Sequence, residues 1–396
     1  MNPKQLMNIS DQYTASTYSR LPVVIVKGSG CKLWDSDGKE YLDFVGGLAV
    51  CNLGHCHPNV VKAIKEQADT LIHVSNLYYT EPQTKLAKLL VENSFADKVF
   101  FCNSGAEANE AAIKLTRKYT KEKKEDKKFE IITMTNSFHG RTMATITATG
   151  QNKFHKGFEP LLQGFRYVPF NDLKAAEEAI NYSTCALMVE PIQGEGGVNC
   201  PSDDYLKGLR EICDNFGLLL IFDEVQVGIG RTGTLFAYEG YDVQPDIITL
   251  AKGLAGGLPI GAMLAREEIA KSFSPGSHAS TFGGNPVVSA SALATINTIL
   301  DNGILENCIN VGGYLFEKLN KLKRKYHFIK DLKGKGLIIG MELEFNGGNI
   351  VKECLNRGLL INCTMDRTLR FLPPLIVTKL EVDAMVRILY DVFSAL

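Results

Sequence analysis

The sequence predicts an α/β protein with a large domain on a mostly parallel sheet and a smaller α+β domain. Three observations carry this. The length of 396 residues exceeds what one small core organises, so two or three domains are expected. From about residue 97 short apolar runs alternate with helical patterns, as βαβ units do. Those runs, "KVFFC", "FEIITM", "CALMV", "LLLIF" and "DIITLA", are apolar almost throughout, the pattern of parallel strands covered on both faces.

Residues 1–20 are polar and read as an arm. "PVVIVKGSGCKLWDSDGKEYLDF" follows, with β-formers between Gly and Asp-Gly turns, an antiparallel meander. "HPNVVKAIKEQADTL" and "EPQTKLAKLLVENS" carry helical spacing. "KYTKEKKEDKKFE", residues 118–130, is a charge run read as a solvated helix end and loop. A long helical stretch starts near residue 286, then "GKGLIIGMELEF", "LLINC" and "TLRFLPPL" bring strands back. In the last segment, Thr378 and Glu381 make a capping box before a final helix. The expected division is 1–55 for the arm and meander, attached to the small domain, 56–290 for the large domain and 291–396 for the C-terminal small domain.

Composition narrows the function. Apolar residues make up 45% and charged residues 22%, ordinary for a soluble globular chain. A net charge of -1 gives no reason to expect nucleic acid or an anionic membrane as a partner. No apolar run approaches the ~18 residues of a membrane span, and the N-terminus lacks the apolar core of a signal peptide. The ten cysteines form no CxxC pair, which fits reduced thiols and a cytoplasmic protein. "GHCHP", residues 55–58 with the preceding Gly54, offers two histidines without a wider ligand cluster, so no metal is expected.

The chemistry collects where the runs end. "VFFC" leads into "NSGAEANEAAIKL", "ALMV" into Glu190, "LLLIF" into Asp223 and "IITLA" into Lys252. In open parallel sheets ligands bind at the strands' carboxyl ends. An acid and a lysine 29 residues apart would therefore meet at one edge. Ser104, Gly105 and Ala106 open a helix after the first run, and the free N–H groups there form an anion site. The spacing is neither a P-loop nor GxGxxG. Acid, lysine and anion site together suggest pyridoxal 5'-phosphate, which needs a lysine to hold it as a Schiff base, an acid for its ring nitrogen and a place for its phosphate.

"DEVQVGIGRTG" followed by "PDIITLAKGLAGGLPIGAML" resembles the signature of class III, ornithine-type aminotransferases. "NSGAEANEAAIK", "FHGRT", "EPIQGEGGV", "STFGGNP" and "RFLPPL" extend the resemblance over essentially the whole chain. The N-terminal arm is most similar to members that act on N-acetylornithine. Val227 and Lys333 depart from the family pattern, where a small hydroxyl or thiol residue and an arginine are usual.

The resemblance implies fold type I, with a seven-stranded sheet, and pyridoxal 5'-phosphate as cofactor. By it, Lys252 holds the cofactor and moves the proton, and Asp223 pairs with the ring nitrogen. Gln226 bonds the ring hydroxyl oxygen, Phe138 stacks on the ring, and Ser104, Gly105 and Ala106 hold the phosphate. Thr281 reaches the phosphate of a neighbouring subunit, which implies a homodimer. Arg141 takes the α-carboxylate of the amino donor, arginine's fork suiting carboxylates. Arg370 and Glu190 form a switch: Arg370 takes a carboxylate of glutamate or 2-oxoglutarate and turns back to Glu190 for an acetylated donor. His139, where a tryptophan is usual in ornithine δ-aminotransferases, leans towards that acetylated donor. The implied reaction moves the terminal amino group of N-acetylornithine to 2-oxoglutarate, a step of arginine biosynthesis. Ornithine, succinyldiaminopimelate and 4-aminobutyrate as donors, or an aminomutase, are the alternatives.

Overall fold

The computed structural model describes residues 2–123, 125 and 127–396. The N-terminal arm holds a helix, Pro3–Tyr13, closed by an Asn2–Gln5 capping box and burying none of its residues. The meander is β1 (Ile25–Ser29), β2 (Lys32–Asp35) and β3 (Glu40–Asp43), each antiparallel to the next. Gly38, at φ 83°, supplies the left-handed turn of the β2–β3 hairpin.

The central sheet contains β4 (Lys98–Cys102), β5 (Glu130–Met134), β6 (Phe165–Val168), β7 (Thr184–Val189), β8 (Leu219–Asp223), β9 (Ile247–Leu250) and β10 (Gly261–Ala265). Their order is β4-β10-β9-β8-β7-β5-β6, with only β10 antiparallel to its neighbours. Because β10 reverses between β4 and β9, β4 runs with β5–β9 and its C-terminal end reaches the same edge. Strands β7 and β8 are buried along their whole length, as the uninterrupted apolar runs require. The helix Gly105–Glu122 covers one face. Within the charge run, this helix ends at Glu122, while Lys124 and Asp126 lie outside the described residues.

The third group is β11 (Ile329–Lys335), β12 (Ile338–Leu343), β13 (Leu359–Leu360), β14 (Asn362–Thr364) and β15 (Thr368–Phe371). Strands β11-β12-β15-β14 form one antiparallel sheet, while β13 pairs parallel with β3 and so completes the meander. Cys31, Leu42 and Phe44 accordingly share a core with Leu315, Met341 and Leu389 of the C-terminal part. The expected boundary at residue 290 cuts the helix Pro286–Asp301, whose buried Val288, Ala292, Ile296 and Ile299 pack in the large-sheet core. We place the junction after Asp301. Thr378 and Glu381 make the expected capping box on the last helix, Lys379–Phe393. Among the described residues, no helix is long and apolar enough to cross a membrane.

Candidate active site

A cavity of about 440 Å³ opens at the edge where β4 and β5–β9 end, lined by Gly105, Phe138, Glu190, Asp223, Gln226 and Lys252 among others. Five different strand-to-loop transitions, after β4, β5, β7, β8 and β9, thus feed one site. Ser104 and Ala106 line it too, and so does Arg141, exposed at its rim.

Asp223 ends β8 and is 4% exposed. Its Oδ2 accepts from Asn109 Nδ2 at 2.7 Å and His139 Nδ1 at 2.8 Å, and its Oδ1 from the Val225 amide at 3.0 Å. Lys252, two residues past β9, has φ 40°, a conformation rare for a non-glycine residue and associated with functional sites. Burial lowers the Lys252 amine's affinity for a proton; Glu195 and Asp223 oppose this, and Arg370 adds to it.

The helix from Gly105 has Ser104 as its N-cap, with Ser104 Oγ accepting from the Glu107 amide at 3.2 Å. Among the described residues no acceptor takes the Gly105 and Ala106 amides, which point out of the helix start as orphan donors. A Cβ on Gly105 would lie 2.7 Å from Val225 Cγ1, so glycine is what lets the helix start sit against that loop. Phe138 packs edge-on against Phe154 at 5.5 Å, and the Arg141 guanidinium lies over the same Phe154 ring at 4.2 Å.

Arg370, on β15, corrects the expected switch pair. Its Nη1 lies 2.8 Å from Glu195 Oε1, not on Glu190. Glu190 instead accepts from the Phe138 amide at 2.8 Å and the Gly194 amide at 3.3 Å. The difference comes from the turn of residues 193–199. Gln193 and Asn199 exchange backbone hydrogen bonds, and Thr364 Oγ1 donates to the Glu195 carbonyl, which mounts Glu195 beside Arg370. Although burial opposes it, Arg370 and Lys252 hold the Glu195 carboxyl below its usual range. Burial pushes Glu190 above that range; His139 opposes the shift and Asp223 adds to it.

Gln226 belongs to the same cluster, since its Oε1 accepts from Arg370 Nη1 at 3.0 Å. Among the described residues, Arg370 Nη2 is buried without a partner. Thr281 is exposed and does not line this chain's cavity. His139 is buried, with its ring on Asp223. Of the other histidines singled out, His55 Nε2 bonds Asp43 Oδ2 at 2.7 Å, and His57 precedes the helix Pro58–Thr70 at its N-cap position without a side-chain capping bond. Sequence reasoning missed Glu195, Asn109 and Thr249.

A family model for class-III aminotransferases matches residues 13–393. The chain belongs to this family. Its cofactor is pyridoxal 5'-phosphate. The acetylornithine aminotransferase of Methanocaldococcus jannaschii is 55% identical over 394 residues, covering 100% of this chain and 99% of that protein. The acetylornithine aminotransferase structure from Elizabethkingia anophelis superposes with a TM-score of 0.90 at 34% identity, covering 100% of both chains. The ornithine aminotransferase structure from Toxoplasma gondii, with partial occupancy of PLP at its active site, gives 0.95 at 34% identity and covers 100% of this chain and 94% of that one.

The residues of this aminotransferase fit the cofactor. The orphan amides of Gly105 and Ala106 suit its phosphate, and Asp223 and Lys252 border one cavity with Phe138 beside them.

Proposed function

We propose that this aminotransferase moves the terminal amino group of N-acetylornithine to 2-oxoglutarate, giving N-acetylglutamate 5-semialdehyde and glutamate. The observation carrying the substrate class is Arg370 behind the cavity's Gln226, buried and paired to Glu195 at 2.8 Å. A donor whose far end is an acylated amine brings a single carboxylate, whereas glutamate and 2-oxoglutarate bring two. A site serving both needs a guanidinium whose charge is covered for one substrate and released for the other. The relatives named acetylornithine aminotransferase support this donor over its competitors.

Bound pyridoxal phosphate supplies an aldehyde that takes up amines and a ring that accepts electron density when a substrate C–H bond breaks. In this reading, Asp223 holds the ring nitrogen, Gly105 and Ala106 with Ser104 hold the phosphate, and Phe138 covers a ring face. Gln226, with its Oε1 on Arg370, links the ring hydroxyl to the switch. Lys252 Nζ takes the proton from the amine-bearing carbon. Burial favours its neutral, basic form. Arg141 at the cavity rim takes the donor's α-carboxylate. Glu190 steadies the Phe138 loop through its amide.

We infer further that two copies complete the site. Leu77, Tyr78, Tyr79 and Phe282 are all strongly exposed, an apolar surface of the kind that marks interfaces, and Thr281 adjoins Phe282. Ten free cysteines are in keeping with a reducing compartment such as the cytoplasm. Sedimentation of the holoenzyme tests the dimer; a monomer at micromolar concentration contradicts it. For the substrate, kcat/KM is measured for N-acetylornithine, succinyldiaminopimelate, ornithine and 4-aminobutyrate with 2-oxoglutarate in excess. N-acetylornithine is expected to lead; a lead by either free amine donor contradicts the reading.

A further inference from the structure

We propose that Asn109 is the positioning residue that sets the orientation of the Asp223 carboxylate, with the Thr249 hydroxyl holding the oxygen of its amide in place. The proposal rests on the reading of Asp223 as the partner of the cofactor's ring nitrogen.

Asn109 is 1% exposed, on the inward face of the helix Gly105–Glu122. A buried amide must find partners for its donors and its acceptor, and this one does. Its Nδ2 donates to Asp223 Oδ2 and to the His139 carbonyl, both at 2.7 Å. Its Oδ1 accepts from Thr249 Oγ1 at 2.6 Å. The Asp223 carboxylate and the His139 carbonyl, which can only accept, make the arrangement directional, and the Thr249 hydroxyl turns its proton to the remaining Oδ1. A flipped amide would turn NH₂ to the hydroxyl and set its oxygen against the carboxylate, losing a charge-assisted bond.

The consequence appears in the acceptor count at Asp223. An ionised carboxylate offers about four lone-pair sites. Asn109 and His139 occupy Oδ2, and the Val225 amide occupies Oδ1 once. One site on Oδ1 remains, so the carboxylate meets its partner through a single oxygen. Among the described residues His139 Nε2 is buried without a partner, so the ring's bond within the cluster runs through Nδ1 to Asp223.

Asn109 also spans the parts that must stay in register. It lies in the second turn of the helix whose first turn presents the Gly105 and Ala106 amides. Thr249 is opposite Asp223 in the β8–β9 pairing and three residues before Lys252. His139 follows Phe138. A single amide therefore ties phosphate cradle, acid, lysine strand and ring-stacking loop together.

The test compares wild type with Asn109→Ala, Thr249→Val, Thr249→Ser and Asp223→Asn holoenzymes. Three quantities are read: the pH titration of the bound cofactor's visible band, kcat with KM, and melting of the cofactor-free protein. Asp223→Asn and Asn109→Ala are expected to move the titration in the same direction. Asn109→Ala is expected to lower kcat by about 10- to 100-fold, the usual cost of losing a partner that orients a functional ligand, with KM for the donor little changed. Thr249→Val is expected to follow in smaller measure, and Thr249→Ser to restore both titration and kcat. If Asp223→Asn moves the titration while Asn109→Ala and Thr249→Val leave it and kcat within twofold of wild type, whatever their melting, the proposal is overturned. If Asp223→Asn leaves the titration unmoved, the reading of Asp223 falls and the proposal falls with it.

Discussion

Arg370 is paired with Glu195 at 2.8 Å while, among the described residues, its Nη2 has no partner. The guanidinium is thus anchored on one side and unsatisfied on the other, inside a protein where a buried lone cation is costly. A substrate carboxylate would answer that unsatisfied group. Removing Glu195 should leave Arg370 free for dicarboxylates at all times. Glu195→Ala is expected to shift the ratio of kcat/KM for glutamate over N-acetylornithine towards glutamate by about 10- to 100-fold, as a charge-assisted bond of ~1.5–3 kcal/mol implies. Glu190→Gln should leave that ratio unchanged. The two half-reactions, measured separately, check both.

Lys252 should be indispensable to turnover and dispensable to folding. Lys252→Ala is expected to lower kcat by at least about 10²–10⁴-fold, the share typical of a positioned proton-transfer group. The variant should melt no lower than wild type, because the substitution removes an amine whose charge is disfavoured by burial and leaves the backbone conformation as it was. Single-turnover rates and thermal unfolding check this.

Gly105 and Val225 form a packing pair with a cofactor readout. A methyl at Gly105 would meet Val225 Cγ1 at 2.7 Å and Cγ2 at 2.8 Å. Overpacking of this kind costs about 1–3 kcal/mol, and here it displaces the helix start proposed for the phosphate. Gly105→Ala is expected to weaken pyridoxal phosphate binding by about tenfold or more, and adding Val225→Ala should recover part of it. Equilibrium dialysis with the cofactor checks the pair.

The meander carries a pH-dependent contact. The hydrogen bond to Asp43, with a smaller contribution from Cys51, raises the His55 pKa from 6.5 to about 10. A group raised on folding contributes fully below its unfolded value and loses that contribution as pH rises through its folded value. The stability difference between wild type and His55→Gln should therefore be largest below pH 6.5 and fade towards pH 10. Thermal unfolding of both proteins across that range checks it; a difference that grows with pH would contradict the assignment.

The sequence made much of this legible. Five apolar runs became β4, β5, β7, β8 and β9 because strands buried on both faces must be apolar throughout. Strand β6 escaped notice because it is a short edge strand with exposed Arg166 in it. Strand β10, "GAMLA", escaped because it follows the lysine turn directly and runs antiparallel, outside the βαβ rhythm. The site's acid and lysine were readable at strand ends. Choosing between Glu190 and Glu195 was not, since both follow β7 and only the folding of residues 193–199 decides which meets Arg370. Asn109 did leave a signal: it falls on the helix face of Ala108, Ala112 and Thr116, all buried, where a polar side chain requires a partner.

One measurement bears on the central claim more directly than the rest. The holoenzyme's visible absorption is followed while N-acetylornithine is added alone, and then 2-oxoglutarate. The visible band of the cofactor's aldehyde form is expected to bleach with N-acetylornithine and to return with 2-oxoglutarate, releasing one glutamate per site. A band that ignores N-acetylornithine yet bleaches with ornithine or 4-aminobutyrate would contradict the substrate assignment.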